Sequence, residues 1–395
     1  MSFFTRLFGK GPKKPKLPKV DIEKRFALIA RVGQGSMSKV WKARDSKTGM
    51  IVALKVLDKE KTEKLEARFR GLNRPSEGEI AVQLRHPNIV RTYEHGLTRN
   101  NEQFLVMEFV EGVSLSFLVE VQNELMQRHR LDFMIQLGHA VEYFHKENWI
   151  HRDICPRNVL ISRDNEVKLI DFGLVVPNTP EFRRPGNRTG TANYMAPELI
   201  KRLPTDHRID IFSYAVTCYE MCSGQLPWEA VETMEMVLRR INVPPRDIRE
   251  LVPDIDDELA DTIMRGLAPD PDQRWSSAGQ MAARFQAVKA RLEQQRGAER
   301  ANEAEKISLK KSERDKSPVG QARSAPGDTS SAKPTASKRP VETQEAASQS
   351  MKGRSGAGSK AARKKTAKPP APSRPSPRGD QDEIDREKED RKNKD

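Results

Sequence analysis

The chain has 395 residues, 36% hydrophobic and 32% charged, and its 70 Lys and Arg against 56 Asp and Glu leave a formal charge of +14. Three cysteines, Cys155, Cys218 and Cys222, are too few for a disulfide-framed secreted scaffold, and no run approaches the ~20 apolar residues of a bilayer span. A reduced, cytoplasmic protein is expected, whose excess basic charge draws acidic partners without defining the fold.

Residues 1–22 read as a basic, Pro-spaced leader, expected to be disordered. Its apolar start (Phe3, Phe4, Leu7, Phe8) is too short for a secretory signal, and Ser2 removes the glycine that myristoylation needs. The aromatic, Lys/Pro-rich run over residues 1–19 suits peripheral contact with an anionic membrane or docking on a partner, with a plain disordered leader as the competing reading. Apolar alternation then predicts strands over residues 26–32, 39–43 and 51–57, an antiparallel meander. The charged stretch 59–70 is helix-prone but broken by Gly71 and Pro75, after which Ser76 and Glu77 start a short helix reaching about residue 84. Strands over 90–94 and 103–109 complete a sheet-rich lobe spanning about 23–110.

From about Ser114 the spacing becomes helical. Residues 131–147 present one buried face, and 209–221 are apolar almost all round, as a central core helix is. A hairpin is predicted from 158–161 and 167–170 around Asp164 and Asn165, with further helices over 232–241, 256–267 and 277–295. The fold class is α+β, with a small antiparallel sheet lobe and a larger helical lobe over about 111–295. Phe285 is the last aromatic, and 296–395 carries no hydrophobic period, so it reads as a disordered, low-complexity basic tail.

The segment VGQGSMSKV (32–40) joins two strands, where Gly33 and Gly35 let backbone N–H groups approach phosphate oxygens beside Val32, Ser36 and Val40; an ordinary glycine hairpin is the competing reading. Lys55 in VALKV, after Ala53, is a cation on an apolar strand and needs an anionic partner. Glu77 supplies one, with Glu79 as its rival and a solvated surface position as the alternative for either. HRDICPRN (151–158), DFG (171–173) and APE (196–198) then follow in the order and spacing of a known signature set.

With these motifs, residues from about 24 to 289 resemble the eukaryotic-like (Hanks-type) Ser/Thr protein kinase family. The resemblance implies a two-lobed protein kinase fold, ATP and Mg2+ as cofactors, and γ-phosphate transfer to Ser/Thr hydroxyls of protein substrates. Such a reaction needs alignment and charge neutralisation more than covalent help. Under it Asp153 is the catalytic base, Lys55 with Glu77 holds the α- and β-phosphates, and Asn158 and Asp171 are hard oxygen ligands for Mg2+. Adenine would meet the backbone of Glu108 to Val110 with Met107 behind it, and the ribose would lie near Ser114. Asp210 would anchor the catalytic loop, and Arg274 would pair with Glu198. Thr191 implies Ser/Thr rather than Tyr specificity, and Arg152 implies an activation segment that phosphorylation can order, at Thr189 ahead of Thr179, with constitutive activity as the alternative.

One position departs from the family. Cys155 stands where such kinases carry a lysine, and loss of that cation costs ~3–4 kcal/mol of transition-state energy, a rate factor of about 10²–10³. Arg157 is placed like the arginine with which tyrosine kinases compensate, and is expected to be catalytic; the alternative is a solvent-exposed arginine on a slow enzyme. Cys155 itself reads as a structural cysteine or as a redox-sensitive thiol. Cys155, together with Ser38 in place of a third glycine, also motivates a nucleotide-binding pseudokinase scaffold. The tail motivates an anionic-polymer-binding protein, although without interleaved aromatics it would bind nucleic acid only weakly and electrostatically.

Overall fold

The computed structural model describes residues 19–34, 37–186, 189–229, 233, 236–237 and 241–315, with side chains as far as 307. Residues 1–18 of the expected leader, Gly35, Ser36, most of the helix expected over 232–241 and the tail beyond 315 lie outside the described residues.

Six strands form the small lobe: β1 (Lys19–Val20), β2 (Phe26–Gln34), β3 (Ser38–Asp45), β4 (Ile51–Leu57), β5 (Thr92–Thr98) and β6 (Gln103–Glu108), in the order β1-β5-β6-β4-β3-β2. Every neighbouring pair is antiparallel except β1 with β5. β1 corrects the expected leader boundary, because Lys19 and Val20 pair with Leu97 and Thr98 and are not a free tail. The reason is burial: Val20 and Ile22 pack against a cluster of Phe26, Leu54, Phe104 and their neighbours on one face of the sheet. A single turn, α1 (Ile22–Arg25), follows, and Arg25 clamps it by binding Asp45 and Glu94 at 2.9 and 2.8 Å.

β4 shows how pattern becomes placement. Side chains alternate across a strand, so Val52, Leu54 and Val56 enter that outer cluster while Ala53 and Leu57 join the main core on the opposite face. Lys55 must share the face of Ala53 and Leu57. α2 (Lys59–Ala67) and α3 (Glu77–Ala81) then cross over, with residues 68–76 between them.

The large lobe begins with β7 (Gly112–Ser114), α4 (Leu115–Val121) and α5 (Glu124–Lys146), and continues through β8 (Trp149–Ile150), β9 (Val159–Ser162), β10 (Val167–Leu169) and β11 (Val176–Pro177). β10, β9 and β7 form one small sheet, and β11 pairs with β8 in another. Gly112 is required where β7 crosses β9, since a Cβ there would lie 1.8 Å from the Ile161 carbonyl oxygen. The helices α6 (Pro197–Ile200), α7 (Arg208–Ser223), α8 (Asp257–Gly266) and α9 (Ala278–Asp315) complete the lobe. α7 is buried on nearly all sides, and Tyr214 donates its hydroxyl to the Met134 carbonyl of α5 at 2.6 Å.

α9 runs well past residue 295, where the sequence led us to expect disorder. Its first part is held by Met281, Phe285 and Val288 in the core, whereas residues from 293 to 307 are exposed. The extension AERANEAEKI is rich in Ala, Glu, Lys and Arg, which are strong helix formers. Lack of an apolar face removes packing but leaves that propensity intact.

Candidate active site

Lys55, 5% exposed on the inner face of β4, donates through Nζ to Glu77 Oε1 at 2.6 Å and to Asp171 Oδ1 at 2.9 Å. The choice between Glu77 and Glu79 is settled by capping. Ser76 caps α3, accepting from the Glu79 N–H, while the Glu79 carboxylate accepts from the Ser76 N–H at 2.8 Å. Glu79 is thereby committed to the helix end and Glu77 faces the lysine. Burial opposes the charge on Lys55, but Asp171 and Glu77 outweigh it and hold its pKa above the ordinary value. Burial likewise pushes Glu77 up, while at Asp171 the Lys55 ammonium wins over burial and keeps the carboxyl below the usual range.

The loop 151–158 hangs from α7. Asp210, wholly buried, accepts the His151 N–H at 2.7 Å and the Arg152 N–H at 2.8 Å, with a ring nitrogen of His145 at 3.1 Å. Arg152 takes a left-handed conformation, φ 71°, a strained turn for a non-glycine residue. Beyond it Asp153 is fixed on three sides. Asn158 donates its side-chain amide to the Asp153 carbonyl and to Oδ2, each at 2.8 Å, and Thr191 donates its N–H to Oδ1 at 2.8 Å. Thr191 can come so close because Gly190 precedes it at φ 133°, where a Cβ would lie 2.7 Å from the Arg152 carbonyl oxygen.

The Asn158 amide nitrogen is occupied by Asp153, so its oxygen is the group left for a cation. Asp171, at φ 67° and with a side chain 47% exposed, faces the same cleft, and Phe172 behind it is buried against Phe144 and His151. Among the described residues no group of three or more His, Cys, Asp or Glu could hold a metal by itself. Two hard oxygen donors are of the kind that suits Mg2+.

A cleft of about 1120 Å³ collects the predicted residues. Val32, Gly33, Val40 and Ala53 line it from the sheet, and Met107, Glu108 and Val110 from the connection between the lobes. Lys55, Glu77, Asp153, Arg157, Asn158 and Asp171 also line it. Ser114 is present too, but its hydroxyl first serves as the cap of α4, accepting from the Phe117 N–H at 3.2 Å. Leu160 and Ile170 line the cleft as well and were not singled out from the sequence. Alternation along β9 could have found Leu160: Val159 and Ile161 are buried in the core, so Leu160 faces the other way.

Cys155 is 1% exposed, its Sγ 3.8 Å from Thr191 Oγ1, and burial pushes its thiol up to about 12. That removes the redox-sensitive reading, which needs a low-pKa, accessible thiol. Arg157 is exposed, and its positive charge is felt at Cys155, Tyr194 and Glu220. Thr189, the preferred phosphorylation site from sequence, is only 5% exposed, whereas half-buried Thr179 donates its hydroxyl to Glu181 at 2.6 Å. Glu198 and Arg274 meet as expected, in a bidentate pair at 2.7 and 2.8 Å.

A family model described as protein kinase domain matches residues 26–286. A probable serine/threonine-protein kinase of Clostridium perfringens is 30% identical over 271 residues, 67% of this chain and 38% of the relative. The Aurora kinase of Saccharomyces cerevisiae is 32% identical over 272 residues, covering 68% of this chain and 71% of that protein. The serine/threonine-protein kinase PknA of Mycobacterium tuberculosis is 31% identical over 278 residues, 69% and 63% of the two chains. The chain thus spans about two fifths of the length of the clostridial relative.

Proposed function

Because this chain belongs to the Hanks-type Ser/Thr protein kinase family, we propose that it transfers the γ-phosphate of ATP to serine and threonine hydroxyls of protein substrates. The observation that carries this reading is the convergence on one cleft of Lys55 with its two carboxylates and of Asp153 held by Asn158 and Thr191. The kinase domain would occupy residues 23–295, its lobes meeting near residue 110. No described helix is long and apolar enough to cross a membrane.

Lys55, oriented by Glu77, binds the α- and β-phosphates. Val110 offers adenine a backbone N–H that has no hydrogen-bond partner among the described residues. Asn158 and Asp171 would hold Mg2+, which would supply neutralisation of phosphate charge there. Asp153 accepts the proton of the attacking hydroxyl, its carboxylate already aimed by two donors, so little reorganisation is needed at transfer. Arg157, reaching the cleft from the same loop, supplies the cation that buried Cys155 cannot.

A second reading rests on Cys155: a neutral thiol at that position also suits a scaffold that binds nucleotide without turnover. Labelled ATP with Mg2+ and a mixed protein substrate separates the two, using the Asp171→Ala variant as blank. Transfer above the blank supports the kinase, and nucleotide-induced thermal stabilisation with no transfer supports the scaffold.

A further inference from the structure

Glu77 sits on a helix of only five residues, Glu77–Ala81, because residues 68–76 leave α2 through Gly71 at φ 85° and Pro75. A single turn of helix has little stability of its own. Its position must be set from outside, and the capping box of Ser76 and Glu79 closes only the local end.

Arg74 supplies the long-range hold. Its Nε donates to the Val175 carbonyl at 2.9 Å and its Nη2 to the Gly173 carbonyl. Its guanidinium carbon lies 5.0 Å from the centre of the Phe69 ring, and Phe69, 4% exposed, meets Phe182 at 6.2 Å. Gly173, Val175 and Phe182 all belong to the segment that follows Asp171. Gly173 also abuts both carboxylates: a Cβ there would lie 3.3 Å from Glu77 Oε2 and 3.4 Å from Asp171 Oδ1. The two halves of the site therefore meet where Arg74 grips.

We propose that Arg74 is a positioning residue, joining the short helix of Glu77 to the loop of Asp171 and so setting the Lys55–Glu77–Asp171 arrangement. The guanidinium suits this because its planar fork serves two carbonyls at once, which a lysine ammonium does with less definition. The kinetic consequence rests on the phosphotransfer reading, whereas the grip itself is a property of two chain segments and is measured without turnover.

Arg74→Met keeps the apolar stem of the side chain as far as the Nε position but removes the guanidinium, and with it the donors and the contact over the Phe69 ring. In hydrogen exchange on the full chain, amides of 173–176 and of 77–82 should open together, about tenfold faster or more. Arg74→Lys should fall between. Unchanged rates, or a response in one segment alone, would overturn the proposal. So would an equal acceleration in α7, since that would mark a general loss of stability. In turnover, Arg74→Met should lower kcat/KM about 10- to 100-fold, yet cost less than about twofold more when Glu77→Gln is already present. A full multiplicative loss in both backgrounds would show that Arg74 does not act through Glu77. If the unaltered chain transfers no phosphate, exchange decides the matter alone, and that result counts against the kinase reading and not against the grip.

Discussion

Cys155 Sγ and Thr191 Oγ1 face each other at 3.8 Å, a partly buried neutral contact at the place where the family pattern puts an ammonium. The thiol is pushed up to about 12 by burial, so the reactive anion appears only as the pH rises toward that value. Iodoacetamide at pH 8 should leave Cys155 unlabelled in the folded protein and label it once the chain is unfolded in denaturant. Mass spectrometry of the labelled peptide checks this; native labelling at the rate of a free thiol contradicts it.

The same contact leaves the transferring phosphate short of a cation unless Arg157 provides one. Arg157→Ala should then lower kcat by about 10²–10³, and adding Cys155→Lys should recover part of the loss. Steady-state kinetics on the single and double variants decides this, and an alanine variant that turns over at the original rate ends the compensation idea.

Glu198 and Arg274 form a buried bidentate pair, their side chains 7% and 0% exposed. Removing one partner strands the other charge away from water, so Arg274→Ala should destabilise the fold by ~3–5 kcal/mol. Urea unfolding measures it. Activity in this variant should fall only in step with the folded fraction at the assay temperature, which separates it from Asp153 or Asp171 variants that lose activity while folded.

His86, His151 and His207 all titrate below the ordinary histidine value, chiefly because burial disfavours the charged ring; at His151 the nearby Asp210 and Asp153 oppose this without prevailing. A depressed value means that the unfolded chain binds protons at a pH where the folded one does not. The stability they contribute is complete above about pH 6.5 and is lost as the pH falls through their depressed values. Thermal scans from pH 7.5 down to 5.5 should show a falling Tm, and a Tm that holds or rises over that range would contradict the assignment.

Much of this site could be read from the residues, because HRDICPRN and DFG fix chemistry by type and spacing, and alternation in VALKV already turns Lys55 inward with Ala53. Other features are invisible in one dimension. The sequence favours Glu77 and keeps Glu79 as a rival, and only the contact with Lys55 decides between them; the burial of Thr189, preferred from sequence as a phosphorylation site, carries no sequence signal. Arg74 carries no motif, since its partners are backbone carbonyls of residues a hundred positions away. The helix beyond residue 295 has no apolar period to mark it, because intrinsic propensity and not burial sustains it.

The most direct measurement is phosphosite mapping after incubating the full chain with ATP, Mg2+ and a mixed protein substrate. Phosphoserine and phosphothreonine should appear on chain or substrate, and none with Asp171→Ala. No phosphorylation above that variant, or phosphate on tyrosine alone, would contradict the kinase reading.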